Sequence, residues 1–164
     1  MNKARSTDAE LLAAFVASAR DAGAFIERIE HADWLADFRS QLPQPYPSLF
    51  DAFLSSYCFV PFDFSGVTFF GNSGEDDPDD LHNAVVRDQC IFDGTVPHGF
   101  LQFGRPEDGS YDPICFDLNH RNRDDAPIVR LDHEAILCDY SISICSQIAS
   151  SFREITNART RNCK

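Results

Sequence analysis

The sequence predicts an α+β fold, a curved antiparallel sheet of about five or six strands with flanking helices. Two observations between residues 100 and 132 predict it. Asp108-Gly109 separates two apolar runs, and such a pair is typical of a β-hairpin because the turn needs residues that tolerate a positive φ. The run 114–118 then alternates in the period-two pattern of a half-buried strand. We therefore expect a three-stranded meander, covered on one face by helices from the two ends of the chain.

The alternation assigns side chains to the two faces of this sheet. The inner face is expected to hold Ile114, Phe116, Leu118, Val129 and Leu131, and the other face Cys115 and Asp117. Because Asp117 precedes a polar turn, we expect its carboxylate to accept hydrogen bonds from backbone donors there, a structural role.

Several motifs in this region occur together. They are an apolar strand, the turn Gly-Arg-Pro-Glu-Asp-Gly, a strand ending in Phe-Asp-Leu at 116–118, a polar turn, and Pro-Ile-Val at 127–129. Upstream lies LPQPYPSLFDAFLSSYCF, and downstream SQIASSFREI. Together they resemble the SUKH superfamily, the two outer segments being similar to its Leu-Pro entry into a helix and to its closing helix. The resemblance covers about residues 42 to 155 and supports the fold more directly than the function.

Other segments predict individual elements. A capping box, Thr7 to Glu10, starts a first helix. Residues 25–38 have the apolar stripe of a second helix, and Ser65-Gly66 is expected to join two strands of a hairpin. Further on we expect a short helix over 79–88, a strand at 90–92 and a final helix that includes residues 144–155.

Length and composition limit the class of protein. The 164 residues are one domain's length, so we treat 1–164 as a single domain, and no apolar run approaches the ~20 residues of a membrane helix. The N-terminus lacks a secretory signal pattern, and we expect a soluble cytoplasmic protein. Six scattered cysteines without paired spacing are expected to be reduced and mostly buried.

The net charge of -12 excludes nucleic acid and anionic membranes as direct partners and favours a basic macromolecule. The alternative is that the acidity only keeps the protein in solution. The densest charge lies in the loop 71–80, whose acids we expect to face outward and bind a basic partner. Further candidates lie in the turns of the meander. The partner-binding candidates are Glu75, Asp76, Asp77, Asp79, Asp80, Glu107, Asp108, Asp124 and Asp125.

Catalytic signatures are weak. The sequence contains no phosphate-binding glycine loop and no nucleophile elbow, so we expect no enzyme and no cofactor. His120 lies in a charged turn, where a solvated loop explains it as well as catalysis does. The spacing of His133, Cys138 and Cys145 matches no zinc motif, and we expect no metal.

The resemblance to the SUKH superfamily implies a function in protein binding. Bacterial members are immunity proteins, which implies a protein that binds and neutralises a cognate toxin, with a basic nuclease domain fitting the acidic charge. The alternatives are a non-catalytic adaptor of the yeast cell-wall-regulator type and, last, an enzyme that uses His120, His133 and nearby acids. The oligomeric state follows from none of these patterns.

Overall fold

A computed structural model describes residues 7–74 and 76–158 and shows the predicted α+β fold. The helices are α1 (Asp8–Asp21), α2 (Asp33–Ser40), α3 (Ser48–Ser56), α4 (Gln89–Thr95), α5 (His133–Asp139) and α6 (Phe152–Asn157). The strands are β1 (Ile26–Arg28), β2 (Tyr57–Phe59), β3 (Phe62–Phe64), β4 (Val67–Phe69), β5 (Phe100–Pro106), β6 (Ile114–Asp117), β7 (Ile128–Leu131) and β8 (Ile144–Ala149). Strands β3 to β8 form one antiparallel sheet in chain order, and β1 pairs with β2. No helix in the described part of the chain is long and apolar enough to cross a membrane.

The predicted start of α1 and the predicted hairpin are both confirmed. The Thr7 hydroxyl accepts a hydrogen bond from the backbone N–H of Glu10, and the Glu10 carboxylate accepts one from the N–H of Thr7. Strands β3 and β4 turn at Ser65 and Gly66, which both have a positive φ. These local signals were sufficient because each turn is specified by its own residues.

Three helix and strand predictions are wrong, and in two of them pairing between distant segments overrides the local pattern. Residues 26–28 form β1, since they pair with β2, and only residues 33–40 are helical. The strand expected at 90–92 is instead part of the helix α4, residues 89–95, whereas the helix expected over 79–88 is present as a π-helix at 83–87. Residues 144–149 pair with β7 as β8, so the final helix begins only at Phe152.

Both faces of the sheet are covered, where one was expected. On the predicted face, α1, α3 and α6 contribute Phe15, Phe53 and Phe152 to one buried cluster, which also holds Phe103 of β5 and Phe116 of β6. On the other face, Cys115 packs with Ile136 of α5 in a second buried cluster. The second layer therefore comes from α4, in the connection between β4 and β5, and from α5, between β7 and β8.

The assignment of β7 residues to the two faces is also corrected. The register places Val129 opposite Cys115 and Ile128 opposite Phe116. Paired residues share a face of the sheet, so Val129 and Leu131 lie in the second cluster while Ile128 takes the inner position. The prediction that Val129 and Leu131 lie on the inner face was wrong because the length of the turn between β6 and β7 does not specify how β7 pairs with β6.

Gly104 allows β4 to approach β5. It follows a bulge after Gln102, and a Cβ on it would lie 2.4 Å from the backbone oxygen of Thr68. That oxygen belongs to the neighbouring strand and has no flexible side chain to move away. Only glycine fits here without shifting the sheet.

We predict that Gly104→Ala lowers the free energy of unfolding by about 2 kcal/mol, because the added methyl overpacks a strand interface. Denaturant unfolding measures it. The control is Gly109→Ala, whose Cβ would meet nothing within 4 Å and which pays only for its positive φ, about 1 kcal/mol. Equal losses in the two variants would show that the close approach of β4 is unimportant.

Candidate functional site

A groove of about 590 Å³ lies beside the second face of the sheet. Its lining includes Pro78, Asp79, Arg105, Tyr111, His133 and Leu137. Tyr111 is 72% exposed and Leu137 is 47% exposed, so large apolar surfaces face solvent next to charged groups. Exposed aromatic and aliphatic side chains at a concave surface are typical of a protein-binding site.

Two residues of the acidic loop 71–80, Pro78 and Asp79, line this groove. Asp79 accepts a hydrogen bond from the Arg105 guanidinium at 2.6 Å, which ties the loop to β5. Asp80 is buried, and its carboxylate accepts hydrogen bonds from the backbone N–H groups of Gly74 and His82. The expectation that these acids all face outward is therefore wrong for Asp80, and Asp79 is half-buried in an ion pair.

Burial disfavours the charged forms of Asp79 and Asp80, and their pKa values show this effect. Burial raises the pKa of Asp80, and hydrogen bonds from the backbone oppose the rise. Burial also raises the pKa of Asp79, and Arg105 opposes this rise.

The remaining predicted acids of the loop differ in their surroundings. Asp76 is exposed, the Asp77 carboxylate accepts a hydrogen bond from the N–H of Asp79 at 2.8 Å, and Glu75 lies outside the described residues. The loop is thus part of the folded structure as well as a source of charge.

An arginine holds the connection between β5 and β6. Arg130 of β7 donates through Nε to Asp112 at 2.7 Å and through Nη1 to Asp108 at 3.1 Å. Asp112 also accepts hydrogen bonds from the backbone N–H of His133 and from its imidazole Nδ1, which lies 2.6 Å away. This network positions Tyr111, which lies between Ser110 and Asp112, at the groove.

The network shifts the acidity of Asp112. Burial alone would raise the pKa of its carboxyl, but the hydrogen bonds from His133 and Arg130 outweigh burial and hold the pKa at about 2. The carboxyl is therefore ionised in the folded protein under all but strongly acidic conditions. Asp108 is exposed, and the N–H of Ser110 and Arg130 lower its pKa against a small effect of burial. Glu107 is exposed.

Asp124 and Asp125 lie at the other end of the meander. Successive turns of an antiparallel meander occupy opposite ends of its strands, and β6 alone is about 13 Å long. The Asp125 carboxylate accepts the N–H groups of Phe152 and Arg153 at the start of α6. Asp124 is exposed, and its backbone oxygen accepts hydrogen bonds from Ser48.

The predicted acids consequently do not form one surface. Asp79 lines the groove and Asp108 belongs to the network beside it, whereas Asp124 and Asp125 lie at the opposite end of the sheet. Asp125 anchors a helix. Asp117 behaves as predicted: its carboxylate accepts the N–H of Asn119 at 3.1 Å.

Two histidine-carboxylate pairs are present. His120 Nδ1 lies 2.7 Å from Asp117, and His133 Nδ1 lies 2.6 Å from Asp112. Such a pair can hold an imidazole in one orientation for proton transfer. The pairs follow β6 and β7 and so lie at opposite ends of the sheet, which prevents them from acting together. Only His133 borders the groove.

Ligand atoms of Asp112, Asp132 and His133 lie within 4.8 Å of one another. Their oxygens already have partners, because Asp112 binds Arg130 and His133 while Asp132 caps α5. The Arg130 charge also repels a cation at this position. We therefore interpret the group as an ion-pair network and not as a metal centre.

The cysteines differ from the expectation of mostly buried thiols. Cys115 is buried, Cys58 is half-buried, and Cys90, Cys138 and Cys145 are exposed. Cys163 lies outside the described residues. Cys90 and Cys138 are exposed because their segments form the outer helices α4 and α5.

Sequence reasoning missed several lining residues of the groove, among them Asp88, Arg105, Tyr111 and Leu137. One signal was available for Tyr111, an aromatic residue within a polar turn. No local signal marks Leu137, since its exposure depends on how α5 packs. No family model, curated protein or solved structure matches the chain.

We predict that Asp125→Ala lowers the free energy of unfolding by about 1 kcal/mol, the usual loss when a carboxylate at a helix start is removed. The adjacent Asp124→Ala is the matched control and should change it by less than about 0.5 kcal/mol, since Asp124 bonds through its backbone. Thermal or denaturant unfolding of the two variants distinguishes these roles. A larger loss for Asp124→Ala would contradict the assignment.

We predict a pH-dependent contribution from Asp112. Because its folded pKa of about 2 is lower than the ordinary value of 3.8, its ionised form stabilises the fold above pH 3.8, and this stability is lost as the pH falls towards 2. The free energy difference between the protein and Asp112→Asn should therefore shrink by about 2 kcal/mol between pH 6 and pH 2. Denaturant unfolding across that range measures it.

Asp108→Asn is the control for this experiment. It removes an exposed carboxylate that binds the same arginine, and its stability deficit should be smaller and should change less between pH 6 and pH 2 than that of Asp112→Asn. A stability deficit of Asp112→Asn that stays constant between pH 6 and pH 2 would contradict the role of the ionised carboxyl.

Proposed function

We propose that this chain is a binding protein that neutralises a basic partner protein through the groove beside Tyr111. The single observation that carries the proposal is the exposed Tyr111 ring in a groove whose lining acids, Asp79 and Asp88, outnumber its one arginine, Arg105. Tyrosine is enriched among residues that dominate binding energy, because it brings a large rigid surface with a polar end.

The negative charge that a partner meets depends on how many basic side chains are already bound within the chain. Apart from the histidines, the basic side chains in the described part of the chain are all arginines, and most already bind groups of their own chain. These are Arg20, Arg39, Arg105, Arg121, Arg130 and Arg153. Acids such as Asp76, Asp88 and Glu107 stay exposed, and Asp88 lines the groove, so they supply negative charge that a partner can meet. Such a surface attracts a basic protein and increases its association rate.

The resemblance to the SUKH superfamily supports a more specific proposal: an immunity protein that binds a cognate toxin, with a nuclease as the favoured class. A nuclease active site is basic because it must attract phosphate, and an acidic inhibitor can occlude it. In this proposal, Tyr111 contacts the toxin directly, and the exposed acids steer the approach. The aqueous interior of the cell in which the toxin is made is the location this role requires.

The His133 and Asp112 pair favours a second candidate, an enzyme with its base in the same groove. The immunity proposal assigns His133 a structural role, because its imidazole and backbone both bind Asp112. Hydrolysis of RNA, DNA or a phosphoester that is lost in His133→Ala would support the enzyme and overturn the proposal.

The experiment is co-expression with the toxin domain encoded beside the chain's own gene. Rescue of growth together with a complex that survives purification is the expected result. Binding without rescue would favour an adaptor of the cell-wall-regulator type. Neither rescue nor binding would reject the proposal.

We predict that Tyr111→Ala weakens this complex at least about tenfold, mainly through faster dissociation, because an anchor is lost from the centre of the contact. Surface plasmon resonance measures both rates. Phe25→Ala is the matched control, since Phe25 is a 79% exposed aromatic residue beside β1 and away from the groove. Equal affinities of the two variants would place the contact elsewhere.

The same measurement tests the charges. Asp76→Asn combined with Glu107→Gln should slow association and reduce its dependence on salt, with little change in dissociation. These two acids are suitable because both are exposed, whereas replacing Asp79 would remove the partner of Arg105. Association rates that respond to salt as before would exclude steering by these two acids.

A further inference from the structure

The groove contains a buried polar side chain outside the network that positions Tyr111. Gln102 of β5 lies on the second face of the sheet, where it pairs with Cys115, and 6% of its surface is exposed. Gln102 nevertheless lines the groove. A buried amide needs partners for both its nitrogen and its oxygen, because leaving either one unpaired costs free energy.

One half of this amide is paired within the protein. Nε2 of Gln102 donates to the backbone oxygen of Gly104 at 3.2 Å. Because a carbonyl oxygen only accepts, this contact assigns the nitrogen to that side of the amide and turns Oε1 the other way. Oε1 accepts no hydrogen bond from residues 7–74 and 76–158, and no unpaired side-chain oxygen within these ranges is fully enclosed. Oε1 is therefore an open acceptor that a ligand reaches from the groove.

The charges of the lining favour a cation. The Arg105 guanidinium is matched by Asp79 at 2.6 Å, so this pair adds little net charge. Asp88 uses one carboxylate oxygen to cap α4, where it accepts the N–H of Ile91 at 3.2 Å. Its other oxygen has no partner among the described residues, and no ion pair within them includes Asp88. The lining therefore combines an open neutral acceptor, Gln102, with an open negative charge, Asp88.

We propose that the groove receives an arginine side chain of the basic partner, with its guanidinium donating to Gln102 Oε1 and its flat face against the Tyr111 ring. The inference rests on the proposed function, since it names the group by which that partner enters the groove. A guanidinium has several N–H donors, no acceptor and a permanent positive charge, which matches an open acceptor in a groove that Asp88 makes negative. Guanidinium groups also stack on aromatic faces.

The surroundings favour arginine over lysine. Phe70, Ile91 and Leu137 give the groove apolar walls, against which the methylene groups of a long side chain pack. The Tyr111 ring stands edge-on to the His133 ring, with centroids 6.4 Å apart, and presents an aromatic surface at the groove. A guanidinium is more weakly hydrated than the ammonium group of lysine, so it loses less when it leaves water for such a site. The volume of about 590 Å³ is sufficient for one side chain.

Titration of the whole chain with Nα-acetyl-L-arginine methylamide tests the inference without the partner. In NMR spectra of the nitrogen-labelled protein, the side-chain amide of Gln102 should shift and saturate with a Kd of about millimolar, as suits a single side chain. The citrulline analogue, in which an uncharged ureido group replaces the guanidinium, should bind at least about tenfold more weakly, and the lysine analogue at least about threefold more weakly. Equal Kd values for the three probes, or no shift of Gln102 with the arginine probe, would overturn the inference.

Two variants identify the groups that bind the probe. Gln102→Met removes the acceptor with little change in size, and Asp88→Asn removes the charge while keeping a residue that caps α4. Each should raise the Kd of the arginine probe at least about threefold. Asp93→Asn is the matched control, because Asp93 is an exposed acid of α4 outside the groove lining, and it should leave the Kd unchanged. Equal Kd values for Asp88→Asn and Asp93→Asn would contradict the inference even if Gln102→Met failed to fold.

This inference and the proposed function fail separately. Rescue of growth in the co-expression experiment, combined with no binding of the arginine probe, would overturn the arginine contact and leave the immunity role in place. Binding of the probe at Gln102, combined with neither rescue nor a complex, would reject the immunity role and support a guanidinium-binding groove.

Discussion

The fold depends on the packing of phenylalanine rings on the inner face of the sheet. Phe152 lies 5.7 Å from Phe15, 5.2 Å from Phe50 and 6.3 Å from Phe116, measured between ring centroids. These residues come from α6, α1, α3 and β6, so a single ring joins both ends of the chain to the middle of the sheet. The position of Phe152 depends in turn on the Asp125 carboxylate, which binds its backbone N–H. Asp125, which was predicted from sequence to be a partner-binding surface acid, therefore supports the core.

Arginine plays the corresponding role around the groove. Arg105 holds the acidic loop against β5, and Arg130 holds the connection between β5 and β6. Each uses acids that, from sequence, appeared available to a partner. In the proposed function, the charge left for a partner is consequently the remainder, exemplified by Asp76 and Glu107, which are exposed. Counting acids in the sequence overestimates the charge that a partner meets, because part of it is neutralised within the fold.

In the proposed function, the groove combines the exposed Tyr111 ring with the lining acids Asp79 and Asp88, and this combination suits a basic protein. The ring supplies the contact surface, and the acids supply the attraction.

The sequence by itself determined the α+β class, the meander, the capping box at Thr7, the Ser65-Gly66 turn and the backbone-binding role of Asp117. Each of these depends on residues close in the chain, where spacing and turn chemistry act directly. Only the tertiary structure decided that residues 26–28 and 144–149 are strands, because a short apolar segment becomes a strand when a partner strand is available. It also decided which acids are bound by arginine and which stay exposed. Those outcomes depend on contacts such as Arg105 with Asp79, 26 positions apart, and no pattern within either segment specifies them.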